Sequence, residues 1–574
     1  MRHYGIANHR QSVSSWGRPY ARQFCFTVRQ VTAMTSPSTA VIQSLANQGV
    51  EVIFSLSGNQ IMPLYDACID ANIRIIHTRH EGAAVYMAEA YAQFSGKIGV
   101  ALVTAGPGLL NAVSALYSAA RSETPLLLIS GDAASRLDGQ GAFQELDQIS
   151  VTRPITKFSA RPTQPEEMLP ALEKTITTAL AGTPGPVHLA LPFDLLSASN
   201  RLSASIGMAP LPPIAPTVAS GLLTTQTAEL TAALQRAERP IVITGPQCNQ
   251  SRQPAANAAL SAGLGMPLIC LESARGLADT FYGDFPTILA SADLIILLGK
   301  LGDYATGLLT PGRISSTASV IAILTDDQPA PTQNMRPITL MRVGAITAAM
   351  QDLAAVVTAA DAGWAAEVES MIARRKPWTA NGTGRHPAAV ASSLQSAMDS
   401  AMDSASQPIL VADGGEFCQW VQAGCTANTR MINGPSGAIG GGICYAIGAS
   451  IARPEATIFL TMGDGTAGFY LAEFNTAVRA GCSIVALIGN DYRWNAEVQI
   501  QIDNYGADRV YGCDLDATAN YADAAAGLGA DATTIDAADD LDAALALALK
   551  KPGVSCLNIL IESYAAPKFI PMKL

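Results

Sequence analysis

Residues 463–491 read GDGTAGFYLAEFNTAVRAGCSIVALIGND and set the architecture of the C-terminal third of the chain. The apolar run TIFLTM precedes this stretch and the run SIVALIG lies near its end, so a helix-length segment separates two buried strands. Two strands joined in this way form a parallel β-α-β unit. Asp464 and Asp491 each follow one of the strands. Because the carboxyl ends of parallel strands meet at one edge of a sheet, the sequence predicts two neighbouring carboxylates there.

The same stretch has the features of a site for a phosphate group and a divalent cation. Gly463 and Gly465 allow a tight turn after the strand, and the free N–H groups at the start of the next helix suit a phosphate. A carboxylate beside a phosphate is repulsive unless a hard cation lies between them, and Mg²⁺ binds through one or two carboxylates plus phosphate oxygens. A lone Gly-Asp-Gly is weak evidence, but Asn490-Asp491 after the next strand makes it specific. We therefore expect a Mg²⁺–diphosphate site.

The same alternation of buried strands and helices recurs along the chain. It predicts an α/β fold with three doubly wound parallel-sheet domains, at residues 36–205, 222–355 and 388–574. The segment LSASIGMAPLPPIAPTVASG (202–221) has no charge and is rich in Pro, Ser and Ala, so we interpret it as a linker. Residues 1–35 contain five arginines and no acidic residue, which indicates either an unstructured leader, such as a transit peptide, or a start codon placed too far upstream.

Composition excludes several classes of function. The formal net charge is −11 and no Lys/Arg stripe is interleaved with aromatic residues, so nucleic acid is not an expected partner. None of the ten cysteines forms a C-x-x-C pair, which favours a reducing compartment, and we expect a cytoplasmic protein unless the leader directs it to an organelle. The uncharged run from Ile98 to Ala120 contains Gly-Pro-Gly and Asn111, so a buried strand, turn and helix is expected there, and no membrane segment.

Three motifs in order resemble those of the thiamine diphosphate enzymes. The GDG…GND stretch resembles their diphosphate-binding motif, and HTRHEGAAVYMAEAYAQFSGKIGVALVTAGPGLLNAV (77–113) is similar to the pyrimidine-domain signature of the acetolactate synthase-like group. Between them, GPSGAIGGGICYAIGASIA (434–452) resembles the segment that cups the cofactor. The resemblance covers roughly residues 36–570. It implies a pyrimidine-binding domain (36–205), a central domain (222–355) and a diphosphate-binding domain (388–574).

The resemblance implies roles for individual residues. Glu81 matches the glutamate that binds N1′ of the aminopyrimidine and favours the form that deprotonates the thiazolium carbon. Gln60 and Gln144 match positions that face the active site in relatives. Asp464, Asp491 and the carbonyl of Arg493 are the implied Mg²⁺ ligands. The remaining residues implied to contact the cofactor are Gly415, Glu416, Phe417, Gly437, Ile439, Gly463, Gly465, Thr466, Asn490 and Trp494.

Some positions depart from the pattern of the family. Many relatives carry Asn where this chain has Asp491. Thr104 stands where some decarboxylases have a histidine, so a histidine-driven proton transfer is not expected. In YRWNAEVQIQ (492–501), Asn495 and Glu497 replace largely apolar residues of acetolactate synthases and are our candidates for substrate contact, together with Gln60. A carboxylate at Glu497 would disfavour an anionic substrate, although a solvent-facing helix acid is an equally good interpretation.

The resemblance does not decide which reaction is catalysed or which ligand, if any, the central domain binds. An acetolactate synthase-like carboligase or decarboxylase of 2-oxo acids is the first expectation, a 2-hydroxyacyl-CoA lyase or oxalyl-CoA decarboxylase-like enzyme the second, and a non-catalytic thiamine diphosphate-binding partner protein the third. FAD or an adenine nucleotide is a candidate ligand of the central domain. However, the loops GPQCNQSRQ and GKLGDYATG form no clear fingerprint, and we expect a domain without ligand. A homodimer or a dimer of dimers is implied, with each cofactor held between two subunits.

Overall fold

Three parallel β-sheets organise the chain in a computed structural model. The structure describes residues 36–197, 208–215, 219–331, 337–356, 362–375, 386–403, 407–536 and 540–568. The predicted leader lies outside these described residues, as do 198–207 and 216–218 in and around the predicted linker. Every pairing between the strands of the three sheets is parallel, which confirms the predicted fold class.

The N-terminal sheet has six strands. They are β1 (Val52–Ser55), β2 (Arg74–His77), β3 (Gly99–Val103), β4 (Leu126–Asp132), β5 (Phe158–Ala160) and β6 (Pro186–Pro192). The helices are α1 (Pro37–Asn47), α2 (Met62–Asp70), α3 (Glu81–Ser95), α4 (Pro107–Arg121), α5 (Gln148–Thr152), α6 (Met168–Leu180) and α7 (Phe193–Leu196). The strand order is β2-β1-β3-β4-β6-β5. Strand β2 lies on one side of β1 and β3 on the other, so the order of strands reverses between β1 and β3.

The middle sheet has five strands. They are β7 (Pro240–Thr244), β8 (Leu268–Cys270), β9 (Leu294–Leu298), β10 (Ser319–Thr325) and β11 (Thr339–Val343), in the order β11-β10-β9-β7-β8. The helices are α8 (Thr224–Arg236), α9 (Pro254–Leu264), α10 (Phe285–Ser291), α11 (Ile346–Ala354) and α12 (Ala362–Ala373). Helix α12 follows the predicted boundary at residue 355 and packs on this sheet, because the Trp364 indole N–H donates to the Pro240 carbonyl at 3.0 Å.

The C-terminal sheet again has six strands. They are β12 (Ile409–Ala412), β13 (Arg430–Ile432), β14 (Ile458–Gly463), β15 (Ile484–Asn490), β16 (Asp531–Ile535) and β17 (Val554–Leu560), in the order β13-β12-β14-β15-β17-β16. The helices are α13 (Pro387–Asp403), α14 (Glu416–Gly424), α15 (Gly442–Ala452), α16 (Asp464–Ala467), α17 (Glu473–Ala480), α18 (Asn495–Tyr505), α19 (Tyr521–Gly527) and α20 (Leu541–Lys550).

Helices α3 and α15 join the N-terminal and C-terminal sheets in one hydrophobic core. Almost every residue of both helices is buried, so neither has the polar face of a surface helix. Gly448 allows the two backbones to approach, because a Cβ there would lie 2.3 Å from the Met87 carbonyl oxygen. At the same contact, the Tyr445 hydroxyl donates to Glu89 at 3.2 Å. Of the described residues, no helix is long and apolar enough to cross a bilayer.

Candidate active site

The order of strands in the C-terminal sheet reverses between β12 and β14, because β13 is added on one side of β12 and β14 on the other. The predicted diphosphate-binding residues lie at this point. Ligands of doubly wound sheets bind beside such a reversal, at the carboxyl ends of the strands. Strand β12 ends at Ala412 and leads into Gly415, while β14 ends at Gly463 and leads directly into Asp464. Two adjoining clefts open at this edge. The described chain therefore brings most of the predicted C-terminal site residues together.

The smaller cleft is lined by the three residues predicted to bind the metal, Asp464, Asp491 and Arg493. Its volume of about 30 Å³ admits an ion but not a larger group. Burial, and then the nearby Asp491 carboxylate, raise the pKa of Asp464 to about 7, and burial raises the pKa of Asp491 to about 6. A buried and a half-buried carboxylate, the second of which raises the pKa of the first, are a donor set that a hard divalent cation stabilises. The residues present therefore fit Mg²⁺.

Backbone N–H groups and one hydroxyl donate hydrogen bonds to this pair of carboxylates. Asp464 accepts the N–H groups of Gly465 at 2.9 Å and Arg493 at 3.2 Å, while the Ser563 hydroxyl donates to Asp491 at 3.0 Å. The side chain of Arg493 turns away and pairs with Asp514 at 2.8 Å. The implied role of the Arg493 carbonyl as a third ligand stays a prediction.

Gly465 is needed because an aromatic ring lies against it. A Cβ at Gly465 would lie 2.8 Å from the indole ring of Trp494, so any larger residue would displace that ring. Trp494 lines both clefts, and Phe469 lies edge-on to it at 6.2 Å. Thr466 also lines both clefts, but its hydroxyl donates to the Gly463 carbonyl at 3.0 Å.

The larger cleft lies between the middle and C-terminal sheets and has a volume of about 660 Å³. That volume is in the range of cofactor and substrate sites. Its lining contains the predicted residues Gly415, Gly437 and Ile439, together with Arg275 and Arg313 from loops of the middle domain. Glu497, at the start of α18, lines both clefts with its side chain exposed. A cofactor or a sizeable part of a substrate could therefore occupy this space.

The C-terminal segment 561–568 closes one side of the smaller cleft. The Glu416 carboxylate, at the start of α14, accepts the Ala566 N–H at 2.6 Å. The Tyr564 carbonyl accepts bonds from the side chains of Trp420 and Asn495, each at 3.3 Å. Asn495, a predicted substrate contact, thus lines the cleft but already binds this segment. Phe417 lines the same cleft.

Asn490 does not line either cleft. Its side chain is fully buried, where it donates to Asn558 at 3.2 Å and accepts the Tyr492 N–H at 3.1 Å. These bonds hold the turn after β15, in which Tyr492 has a positive φ of 58°. Direct contact of Asn490 with a cofactor stays a prediction.

The predicted catalytic residues form a second group, at the reversal of strand order in the N-terminal sheet. Glu81 begins α3 and is 8% exposed, and the Asn111 side chain donates to its carboxylate at 3.0 Å. Gln60 accepts the Thr104 hydroxyl at 2.7 Å. The side-chain carbonyl of Gln144 is buried without a hydrogen-bond partner among the described residues. An unpaired buried acceptor of this kind is common where a ligand binds.

Neither Glu81, Gln60 nor Gln144 lines the two clefts of the C-terminal sheet. The neighbouring histidines have structural contacts: His80 caps α3 by accepting the Gly82 N–H at 3.0 Å, and the His77 ring lies 3.0 Å from the Ser57 hydroxyl. Burial and the charges of two nearby arginines lower the pKa of His77.

The middle sheet has a corresponding reversal of strand order between β7 and β9, and the side chain of Glu123 from the N-terminal domain lies beside it. The Glu123 carboxylate accepts the Gln247 N–H at 3.2 Å, directly after β7. It also approaches Gly245, where a Cβ would lie 3.1 Å from a carboxylate oxygen. A buried carboxylate at this point would repel a nucleotide phosphate.

Sequence reasoning missed several residues of the site. Asn111 lies inside the quoted stretch 77–113. For Asp413, a carboxylate directly after a predicted strand was the available signal. No sequence signal points to Ser563, because its contact with Asp491 joins positions 72 residues apart.

Comparisons with known proteins agree with this geometry. Residues 36–151 match the family described as "Thiamine pyrophosphate enzyme, N-terminal TPP binding domain". Residues 413–559 match "Thiamine pyrophosphate enzyme, C-terminal TPP binding domain". Thiamine pyrophosphate is another name for thiamine diphosphate, and the two matched ranges contain the two groups of residues described above.

Curated relatives align with most of the chain. The chain is 32% identical to 2-hydroxyacyl-CoA lyase 2 of Homo sapiens over 538 residues, which covers 85% of this chain and 83% of that protein. It is 30% identical over 525 residues to 2-hydroxyacyl-CoA lyase 2 of Danio rerio, which covers 82% of each. It is 26% identical to a probable acetolactate synthase of Mycobacterium bovis over 546 residues, which covers 92% of this chain and 96% of that protein.

Proposed function

This chain belongs to the thiamine pyrophosphate enzymes, and on that premise we propose that it cleaves the carbon–carbon bond beside the thioester of a 2-hydroxyacyl-CoA, with Mg²⁺ as its metal. The products are an aldehyde and formyl-CoA. In the balanced reaction the 2-hydroxyl group loses its proton, the bond between the second and first carbons breaks, and the thioester carbon gains a proton. The 2-oxo acid chemistry that the sequence motifs placed first becomes the second candidate.

Glu497 is the observation that carries this choice. Its carboxylate lines both clefts, and no ion pair neutralises it among the residues that the structure describes. A 2-oxo acid presents a carboxylate next to the reacting carbonyl, and two like charges in one cleft repel each other. A thioester is neutral at the corresponding position. Glu497 therefore favours the thioester as substrate.

Two arginines of the larger cleft support the same substrate. Arg275 and Arg313 line this cleft together with Ile439. Guanidinium groups bind phosphate oxygens through paired hydrogen bonds, and CoA carries a pyrophosphate and a 3′-phosphate. We propose that these two arginines hold the phosphates of CoA while the acyl end reaches the cofactor.

The residues of this chain perform the remaining tasks. Bound thiamine diphosphate supplies a carbon nucleophile and an electron sink for the cleavage. Asp464 and Asp491 hold the Mg²⁺ that neutralises the diphosphate, and Ile439 supports the cofactor from the wall of the cleft. Glu81 binds the pyrimidine ring and controls its proton, with Asn111 orienting the carboxylate.

The two groups of site residues lie at different sheets, so we propose that the active site forms between two subunits. Glu81 of one subunit would then face the Asp464 cleft of the other, in a homodimer or a dimer of dimers. An active enzyme that sedimented as a monomer at its assay concentration would contradict this proposal.

We also propose that activity needs no FAD, since the Glu123 carboxylate lies against Gly245 and Gln247 at the crevice of the middle sheet and would repel a nucleotide phosphate. Purified enzyme should lack the absorbance of flavin in the visible region, and added FAD should leave the rate unchanged.

We propose the cytoplasm as the location of the protein. A reducing compartment suits the nine cysteines of the described residues, all of which are free.

An acetolactate synthase-like reaction is the second candidate, favoured by the similarity to the probable acetolactate synthase along 92% of the chain. Purified enzyme with thiamine diphosphate and Mg²⁺ would be incubated with either a 2-hydroxyacyl-CoA or pyruvate, and the products identified by NMR. Aldehyde and formyl-CoA from the thioester alone would support the proposal, and acetolactate from pyruvate alone would replace it with the second candidate.

Two variants sharpen this experiment. Glu81→Gln should abolish turnover of whichever substrate reacts, while Glu497→Gln should raise the rate with pyruvate relative to the thioester by about tenfold, since one repulsive charge near 4 Å contributes on the order of 1–4 kcal/mol. Asp508→Asn is the control, because it removes one negative charge from an exposed residue that lines neither cleft. An unchanged substrate ratio in Glu497→Gln would remove the main argument for the thioester.

A further inference from the structure

Asp413 is a buried carboxylate without an assigned role. It follows β12, is 1% exposed, and lies beside the Gly414-Gly415 turn that lines the larger cleft. One carboxylate oxygen accepts the N–H groups of Gly414 at 2.6 Å and Gly440 at 3.0 Å. The other oxygen accepts the N–H of Gly442 at 2.8 Å. Three backbone donors thus converge on one side chain.

These donors belong to two separate segments that both line the larger cleft. Gly414 belongs to the segment before α14, whereas Gly440 and Gly442 follow Ile439 at the entry to α15. The two segments also touch directly, because a Cβ at Gly414 would lie 2.5 Å from the Ile439 side chain. The position of Ile439 in the cleft therefore depends on how the two segments are held together.

A carboxylate suits this position because it only accepts hydrogen bonds. Three N–H groups aimed at two oxygens leave no place for a donor, so an amide of the same shape would turn its NH₂ group toward at least one N–H. Burial raises the pKa of Asp413, and the three N–H bonds oppose that shift by stabilising the charged form. The described residues provide no cation that pairs with this carboxylate, so the backbone groups alone satisfy it.

We propose that Asp413 is a positioning residue for the cofactor: by joining the two segments it fixes Ile439 against the Gly414-Gly415 turn and so shapes the wall that thiamine diphosphate binds. The inference rests on the assignment of this cleft to thiamine diphosphate, and not on which substrate the enzyme cleaves. Asp413 does not touch the reacting atoms, so its effect should appear in cofactor affinity before it appears in the chemical step.

The test is the dissociation constant of thiamine diphosphate for Asp413→Asn, measured with Mg²⁺ through the fluorescence of the cleft tryptophans. We expect the dissociation constant to rise at least tenfold, and kcat at saturating cofactor to fall much less. Circular dichroism and thermal unfolding of the same preparation establish that the variant is folded at the temperature of the titration. Wild-type enzyme that bound the cofactor but cleaved no thioester would contradict the proposed reaction and leave this measurement intact.

Asp293→Asn is the matched control. Asp293 also joins two segments by accepting backbone N–H groups, from Glu238 at 2.7 Å and Arg239 at 2.9 Å, but it belongs to the middle sheet and lines neither cleft. It should lower the unfolding temperature without changing the cofactor dissociation constant. An Asp413→Asn variant that only lost thermal stability, with wild-type cofactor affinity, would overturn the proposal.

Gly414→Ala provides a second route if Asp413→Asn does not fold. Its methyl group would press on Ile439 while Asp413 stays in place, and Gly414 does not have a positive φ that would penalise alanine. We expect a weaker cofactor affinity here as well. Unchanged affinity in a folded Gly414→Ala variant would show that the position of Ile439 does not control binding.

Discussion

The Asn111 side chain lies 3.0 Å from the Glu81 carboxylate and donates a hydrogen bond to it. Asn111 is on α4 and Glu81 is the first residue of α3, so the contact ties the predicted catalytic group to the next helix of the same domain. The carboxylate is thereby held in one rotamer at the edge of the sheet where a pyrimidine ring would bind. The bond gives Asn111 a role that its place in a motif did not indicate.

Asn111→Ala should lower kcat by about tenfold and leave cofactor affinity within a few-fold of wild type. The reason is that a hydrogen bond to a charged group contributes roughly 1.5–3 kcal/mol, and here it orients a group that acts in the chemical step. Steady-state kinetics at saturating cofactor measure the change. Asn504→Ala, which removes an exposed helical asparagine away from the clefts, should behave as wild type. A wild-type kcat in Asn111→Ala would refute the orienting role.

Asp491→Asn should weaken Mg²⁺ binding while keeping most of the maximal rate. The amide oxygen remains a ligand, but one negative charge is lost from a site that Asp464 shares. We expect the Mg²⁺ concentration for half-saturation to rise by about tenfold, as a change on the order of 1.4 kcal/mol would produce. Titrating Mg²⁺ in the presence of cofactor, with tryptophan fluorescence and activity as the two signals, measures this concentration. Equal Mg²⁺ requirements in variant and wild type would exclude Asp491 as a ligand.

Glu89 should make the protein less stable as the pH rises from about 4.5 to 7. Burial between α3 and α15 raises the pKa of Glu89 from 4.5 to about 7, against the hydrogen bonds of Tyr445 and the charge of Arg252. The folded protein therefore binds a proton that the unfolded chain releases in this interval, and stability falls by about 3 kcal/mol across it and stays constant above it.

Glu89→Gln tests this pH dependence. Urea unfolding at pH 5 and pH 8 would be measured for both proteins, and the difference between the two pH values compared. Because glutamine does not titrate, the variant should lose about 3 kcal/mol less stability than wild type over this range. Other groups contribute equally to both proteins and cancel. An equal pH dependence in both proteins would show that Glu89 is not the group that binds this proton.

Arg430→Met should destabilise the protein by about 3–5 kcal/mol, because it leaves the buried carboxylate of Glu272 without its cation. Arg430 on β13 lies 2.8 Å from Glu272 after β8, and both side chains are 8% exposed. The guanidinium also lies 3.4 Å from the centre of the Phe281 ring. Urea unfolding gives the loss, and adding Glu272→Gln to Arg430→Met should recover part of it. Lys551→Met breaks an exposed pair and should cost less than about 1 kcal/mol.

The sequence by itself determined the parallel sheets and the two carboxylates that follow β14 and β15. These features depend on local periodicity and on the rule that parallel strands end at one edge, so they can be inferred from neighbouring residues. The prediction for Glu81 rests instead on the resemblance of its motif to a family. Each of these inferences needs only the order of residues within one β-α-β unit.

Only the tertiary structure decided which side chains those residues meet. Asp413 binds N–H groups 27 and 29 residues away, and Ser563 reaches Asp491 across 72 residues. Such contacts depend on how loops dock after the sheets have formed, and a docked loop satisfies its hydrogen bonds in ways that no local pattern encodes. The same reason places the Glu123 carboxylate beside Gly245 and Gln247 of the middle domain, a contact that joins positions more than 120 residues apart.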